Sequence, residues 1–463
     1  MLENSNKKIN TQMRYPVWHP YTQMSEWNTR AMKIITRGKG FYLIDENGNR
    51  YLDGIASMWC NVWGHGKNEI IKIMIKQLRD IEHSTLFGLS SRPSIELAEA
   101  LLKMAKGMSY VFYSDNGSTA IEVAMKMALQ YWQNKGKFNK TRFISMKNGY
   151  HGDTIGAMSI GYIKKYFAAY RPIINPAIKI KPPPSLCVQD SHSYNGRTDD
   201  RVEQYYVDKV EEILSKHASR SCALVMESGA QIAGGVTIYP KQYQMKVADL
   251  CKKYDVLLIL DEIATGFGRL GNMVEYLAQR SIPDIVCFGK SLTAGYSPLA
   301  VTLTTKEIFN EFLGKHAENK HLYHGHTYTG HTLGCSVALA NINLYQNYNL
   351  IEKIRSNGIY LENKLKEIQT SYSITNHARC KGLLGAIDLV HSNNKHNAGP
   401  IEILKNKCRL SLFIMQESLR LGLFLRSLGN TLLIIPPLAI KKADFRLLLG
   451  IVHELIGKVE RLS

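Results

Sequence analysis

The sequence predicts an α/β fold, with a large domain around a central, mostly parallel sheet and a smaller α+β domain built from both chain ends. Three observations carry this. From about residue 95 to about residue 340, short apolar runs alternate with helical stretches. Those runs are near-continuously apolar rather than strictly alternating, which suits strands covered on both faces. Both ends break the rhythm, with short strand-like and turn-like pieces before about residue 70 and long helical stretches after about residue 340. The expected boundaries are 66–340 for the large domain, with 1–65 and 341–463 forming the two parts of the small one.

Taken in order, FYLIDENGNRYLDG (Phe41 to Gly54) reads as a hairpin, because apolar runs flank a Glu-Asn-Gly-Asn turn. IELAEALLKMA has helical periodicity, and YVFY, TRFISM, CALVME, VLLILDE, DIVCFG and PLAVTLTT read as short buried strands. Residues 171–200, with Pro182 to Pro184 and the polar NGRTDD, read as a surface excursion outside the core. ALANINLYQNYNLIEKIRSNGIYLENKLKEI reads as a long helix interrupted at its Asn-rich middle, and short strands and a final helix follow.

Composition narrows the function classes. The chain has 463 residues, 45% hydrophobic and 21% charged, so a sizeable core forms and global disorder is excluded. No apolar run approaches the roughly 20 residues a bilayer requires. The polar N-terminus lacks an apolar signal region, and a cytoplasmic protein is expected. Cys60, Cys187, Cys222, Cys251, Cys287, Cys335, Cys380 and Cys408 are scattered without a CxxC pair, as suits reduced thiols. The net charge of +19 is spread along the chain, which suits a Lys-rich surface better than a nucleic-acid interface.

Several stretches carry chemistry. In YSDNGSTAIEVAMKMALQYW (Tyr113 to Trp132) a strand meets a helix at a Ser-Asp-Asn-Gly-Ser turn. Gly117 and Ser118 there leave N–H groups that suit a phosphate, although a plain N-cap fits the same residues. Glu122 and Lys126 have the spacing of a favourable ion pair. VLLILDEIATGFGRLG brings Asp261 and Glu262 to the C-terminal edge of a strand, where ligands sit in open α/β sheets. A nucleotide-hydrolase reading of that strand needs a GxxxxGK[ST] loop, but DIVCFGKS has Asp284 in place of the first glycine.

FGKSLTAGYSPLA places Lys290 just after a buried strand, where desolvation makes an amine nucleophilic. A carboxylate and an amine at successive strand ends are the two fixtures that pyridoxal phosphate (PLP) needs, one for the pyridinium nitrogen and one for the aldehyde carbon. In MKNGYHGDTIGAMS, Tyr150, beside His151 and Asp153, is placed to stack on a flat ring. In HLYHGHTYTGHTLGC, His321, His324, His326 and His331 match no zinc spacing, so no metal is expected. The Gly- and Thr-rich loop suits a phosphate contact through Thr327.

Together these stretches resemble the class III (subgroup II) aminotransferases, which have PLP fold type I. The resemblance runs from about Trp18 to Pro437, and its most specific part is DEIATGFGR followed by a strand and GK. Within the family, WHPYTQM (Trp18 to Met24), GYHGDTIGAMS and SDNGSTAIEVAMKMALQYW are similar to members that convert 8-amino-7-oxononanoate to 7,8-diaminononanoate in biotin synthesis. The resemblance implies a small-molecule amine donor and a keto acid acceptor, a homodimer with shared active sites, and neither nucleic acid nor membrane as partner. The donor is S-adenosylmethionine or lysine. Met58 precedes Trp59 where S-adenosylmethionine users usually have two tryptophans, whereas HSTLFG, AGYSPLAVT and HGHTYTG look more like the lysine users. The competing reading is another ω-amine or diamine aminotransferase of class III that uses pyruvate or 2-oxoglutarate.

The resemblance also implies roles. Lys290 would bond PLP and shuttle the α-proton, and Asp261 would pair with the ring nitrogen. Tyr150 would stack on the ring, Gly117 and Ser118 would bind the phosphate, and Thr327 would reach the phosphate of the other subunit. Tyr21, also expected among the catalytic residues, would line the substrate pocket with Trp59, Tyr150, Lys290 and Gly325. Arg426 would bind the keto acid's carboxylate. Glu227 and Gln231 match the family's acidic-then-Gln segment near the cofactor, but Ser228 and Ile232 replace the usual Pro and Gly. Arg269 matches a structural arginine.

Overall fold

The strands form where the apolar runs stand. The structure, a computed structural model, describes residues 16–27, 33–188, 200–391 and 399–463. Strands β1 (Ile35–Lys39), β2 (Tyr42–Asp45) and β3 (Arg50–Asp53) make an antiparallel meander that contains the expected hairpin. The buried Asp45 carboxylate ties that turn, accepting the N–H groups of Asn47 at 3.0 Å and Asn49 at 2.8 Å and the Tyr51 hydroxyl at 2.8 Å.

Next come β4 (Tyr110–Ser114), β5 (Arg142–Met146), β6 (Ile178–Ile180), β7 (Ser221–Glu227), a short β8–β9 hairpin (Ala230–Gln231, Thr237–Ile238), β10 (Leu257–Asp261), β11 (Ile285–Phe288) and β12 (Ala300–Thr304). The central sheet has the order β4-β12-β11-β10-β7-β5-β6. It is parallel except for β12, which runs against both neighbours. The reading of residues 171–200 as lying outside the core is corrected here. Ile178–Ile180 adds an edge strand beside β5, and Ile180, Leu186 and Val188 are buried. Flanking prolines are compatible with an edge, where one row of N–H groups needs no partner. Most of NGRTDD lies outside the described residues.

The two-faced burial explains the continuous apolar runs. Leu258 and Leu260 of β10 enter one core cluster, while Leu257 and Ile259 enter another on the opposite face. The latter face is covered by the helix Gly117–Asn134, through Ala120, Ile121, Ala124, Ala128 and Trp132. Beyond the sheet, the helices Thr332–Asn347 and Leu350–Ser371 are separated at Asn349, whose φ of +47° ends the helical path. Strands β13 (Thr375–Lys381), β14 (Leu384–Leu389), β15 (Leu423–Phe424), β16 (Ser427–Leu428) and β17 (Thr431–Ile434) follow, then the helix Lys442–Leu462. β15 pairs parallel with β3, Leu423 against Leu52, so late and early chain share one sheet.

Candidate active site

Asp261 closes β10 in register with Glu227 on β7 and Cys287 on β11. The chain leaves β11 at Phe288, and Lys290 opens a tight turn, Lys290–Thr293, with φ of +44°. A left-handed lysine of this kind costs on the order of 1–3 kcal/mol and persists only where its surroundings fix it. Burial lowers the Lys290 amine below its ordinary range, opposed by the negative charges of Asp261 and Glu227. Its Nζ lies 5.6 Å from the centre of the Trp59 ring. The carboxylate and the amine therefore stand at the ends of adjacent parallel strands.

Around Asp261 the site is buried and polar. His151 Nδ1 lies 2.7 Å from Asp261 Oδ2, and the N–H of Ile263 donates to Oδ1 at 2.9 Å. Among the described residues, buried His151 Nε2 has no partner. Glu227 accepts the N–H groups of Tyr150 at 3.2 Å and Ile232 at 3.0 Å, and burial pushes its carboxyl up to about 7. Gln231 is also buried, with Nε2 donating to the Lys147 carbonyl at 3.2 Å. Glu262 turns away and accepts the N–H groups of Glu275 and Tyr276, so it braces the loop after β10.

The turn expected to cradle a phosphate lies at the start of the helix Gly117–Asn134. Asn116 caps it through the N–H of Thr119 at 3.1 Å, while the first two N–H groups, of Gly117 and Ser118, have no acceptor within the helix. A Cβ on Gly117 would lie 2.9 Å from Ile263 Cγ2. Gly152, at φ +123°, closes on this turn so tightly that a Cβ there would lie 2.0 Å from Ser118 Oγ. The expected Glu122–Lys126 pair is replaced by tertiary partners. Glu122 accepts the N–H groups of Gly156 and Ala157, while Lys126 donates to the Tyr323 carbonyl at 2.8 Å. The cradle, the His151 nitrogen that lacks a partner among the described residues, and the half-buried Lys290 fit pyridoxal phosphate.

The residues expected on the substrate side form a second group. The Tyr21 hydroxyl donates to Asp153 Oδ1 at 2.6 Å, and partial burial followed by this bond raises its phenol. Tyr150 is pushed up to about 12 by burial and by the charge of Asp153. Tyr21 packs edge-on against Tyr166 at 5.2 Å, and burial raises the Tyr166 phenol against the opposing charge of Arg426, which lies between β15 and β16. Gly325 and Thr327 lie instead, both exposed, on the loop 321–331. A Cβ on Gly325 would meet Phe87, and the Thr327 carbonyl lies 3.0 Å from His83 Nε2.

The loop's histidines have local partners. His324 Nε2 lies 2.9 Å from His326 Nε2, and His331 accepts the N–H of Gly334. Among the described residues, no group of three or more His, Cys, Asp or Glu is placed to hold a metal ion. Among the described residues, no two cysteines are joined in a disulfide. Arg269 is fully buried and donates to the carbonyls of Leu383 at 3.0 Å and Pro436 at 2.9 Å, linking the loop after β10 to the C-terminal sheet.

Sequence reasoning left two features without a role. The His151–Asp261 contact spans 110 positions, and only the adjacency of His151 to Tyr150 hinted at it. Residues 56–59 all have positive φ, a left-handed turn that the local sequence does not signal.

Comparisons with known proteins agree with this geometry. The model of the family described as "Aminotransferase class-III" matches residues 23–456. The chain is 39% identical to an adenosylmethionine-8-amino-7-oxononanoate aminotransferase of Methanocaldococcus jannaschii, over 96% of each chain. A protein of the same description from Staphylococcus aureus is also 39% identical, over 96% of each chain. The crystal structure of the Methanocaldococcus jannaschii protein superposes with a TM-score of 0.87 at 38% identity, covering 96% of this chain and 97% of that one. A PLP-bound amine transaminase from an uncultivated Pseudomonas species gives 0.88 at 30% identity, covering 96% and 99%.

Proposed function

The chain belongs to the class III aminotransferases, and from that premise we propose that it converts 8-amino-7-oxononanoate to 7,8-diaminononanoate in biotin synthesis. The carrying observation is the buried Asp261–His151 pair on β10 beside Lys290 at the end of the neighbouring strand β11. The near-full-length likeness to enzymes named for that substrate supports the same reading.

Pyridoxal phosphate, when bound, would supply the electron-withdrawing ring that amino-group transfer between donor and acceptor requires. The chain's own residues do the rest. Asp261, oriented by His151 and the Ile263 N–H, holds the ring nitrogen. Gly117 and Ser118 bind the phosphate through their N–H groups, and Tyr150 stacks on the ring. Lys290, its amine depressed by burial, moves the α-proton between carbon and Nζ. Trp59 and Tyr21 line the pocket, and Arg426 offers a planar fork to the acceptor's carboxylate.

The loop that carries the exposed Gly325 and Thr327 suits a homodimer, with Thr327 reaching the phosphate in the other subunit. Exposed Phe87, Leu89, Tyr323 and Tyr328 beside it give a second copy an apolar seat. Among the described residues no helix is long and apolar enough to cross a membrane, and we place the enzyme in the cytoplasm. S-adenosylmethionine is the proposed donor, in keeping with the names of the relatives; lysine is its competitor.

The test loads the holoenzyme separately with S-adenosylmethionine and with lysine, following loss of the cofactor's visible absorption. Addition of 8-amino-7-oxononanoate should then restore the band. Restoration only by pyruvate or 2-oxoglutarate would instead establish the ω-amine or diamine activity.

A further inference from the structure

Residues Ala56 to Trp59 make one turn of left-handed helix. Their φ values are +49°, +45°, +72° and +70°, and none is glycine. L-residues resist this conformation because Cβ crowds the following carbonyl, so a run of four needs an external hold. Asp53 supplies one. Its buried carboxylate, at the end of β3, accepts the Ser57 N–H at 2.9 Å and the Ser57 hydroxyl at 2.6 Å, and lies 3.4 Å from His65 Nε2. The turn is then closed by the Trp59 N–H on the Ile55 carbonyl at 2.9 Å and the Cys60 N–H on the Ala56 carbonyl at 3.0 Å.

What the turn delivers is the Trp59 indole, 5.6 Å from Lys290 Nζ. Met58 beside it remains half exposed. Ser57 and Cys60 border a cavity of about 330 Å³ that also touches Asn61, His65, Gly295 and Tyr296. A strained turn with open space beside it has somewhere to relax once its hold is cut.

We propose that Asp53 is a positioning residue: through Ser57 it holds the left-handed turn, and so fixes the Trp59 wall that sets how wide a substrate the site accepts. The part played by Trp59 rests on the aminotransferase reading above, whereas the clamp itself does not.

The test compares Asp53→Asn, Ser57→Ala and Ser57→Gly in the full chain. Hydrogen exchange over residues 54–61, measured without cofactor, should quicken about tenfold in the first two, as expected for the loss of one buried hydrogen bond. Ser57→Gly should fall between them and wild type, because glycine takes positive φ without strain. With PLP bound, Asp53→Asn and Ser57→Ala should raise KM for 8-amino-7-oxononanoate about tenfold. Their kcat should stay within about threefold and cofactor absorption unchanged, and bulkier amines should gain relative to the native donor.

Unchanged exchange over 54–61 overturns the clamp. So does a parallel loss of kcat, KM and cofactor content, or a Ser57→Gly variant as impaired as Ser57→Ala. A wild-type enzyme inert toward 8-amino-7-oxononanoate defeats the substrate reading alone. In that case the cofactor-free exchange, together with KM measured with pyruvate as acceptor, still decides the role of Asp53.

Discussion

His151 Nδ1 and Asp261 Oδ2 meet at 2.7 Å inside the protein, from segments 110 positions apart. The imidazole fixes which way the carboxylate faces. Asp261→Ala should lower kcat/KM by about 10²–10³, as does loss of a group that stabilises charge in the transition state. His151→Ala acts only through Asp261 and should cost about 10–100-fold, as for other orienting partners. Steady-state kinetics on both variants, with cofactor content measured alongside, decides this; equal losses would make His151 more than an orienting group.

Lys290 is a half-buried residue with left-handed backbone whose amine is lowered by desolvation. Lys290→Ala should cut turnover about 10²–10⁴-fold, the usual range for a lost general acid–base group. Reduction with borohydride should no longer fix PLP to the chain, as read by intact mass. Fixation at an undiminished level would remove Lys290 from its role.

Gly152→Ala tests the phosphate cradle. Its Cβ would sit 2.0 Å from Ser118 Oγ, on a backbone at φ +123°. The strain is of order 1–3 kcal/mol, so PLP affinity should fall about 10–100-fold by absorbance titration. Unaltered affinity would show that this loop does not close on the cofactor.

Lys179 gives a pH-dependent stability term. Burial depresses its amine from 10.5 to about 8. Between those values the unfolded chain binds more protons than the folded one, so stability rises with pH across that window. Below about pH 8 the full cost stands. Lys179→Met, which loses bonds to Ser145 and Ile160 but keeps the stem, should gain about 1–2 kcal/mol at pH 7. Urea denaturation of both proteins should show the gain shrinking toward pH 10; a constant difference would dismiss the amine as its source.

Arg426→Lys keeps the charge and loses the planar fork. KM for the keto acid should rise about 10–100-fold, the scale of a lost hydrogen bond to a charged group, with kcat nearly kept. A fall in kcat with KM unchanged would place Arg426 away from the bound acid.

The strands were legible because two-sided burial writes itself as an apolar run, as in residues 257–261. Helix breaks were legible where Asn349 stands. The reversed direction of β12 was not, since an apolar run carries no arrow. The edge strand Ile178–Ile180 was hidden by neighbouring prolines. Asp261 and Lys290 could be paired from sequence because consecutive strands of such sheets end side by side. Tyr21 and Asp153, 132 positions apart, have no local pattern that joins them. Glu122 and Lys126 had the spacing of partners, yet a helix terminus and a loop carbonyl competed successfully for both.

The parallel pairing of Leu52 with Leu423 has a consequence for synthesis. Most of the polypeptide lies between them, so the early meander emerges from the ribosome with one edge open and waits for one of the last strands to be translated. The central sheet has all its members long before that. Assembly therefore finishes where translation began, and nascent chains stalled short of residue 423 should display that edge to chaperones.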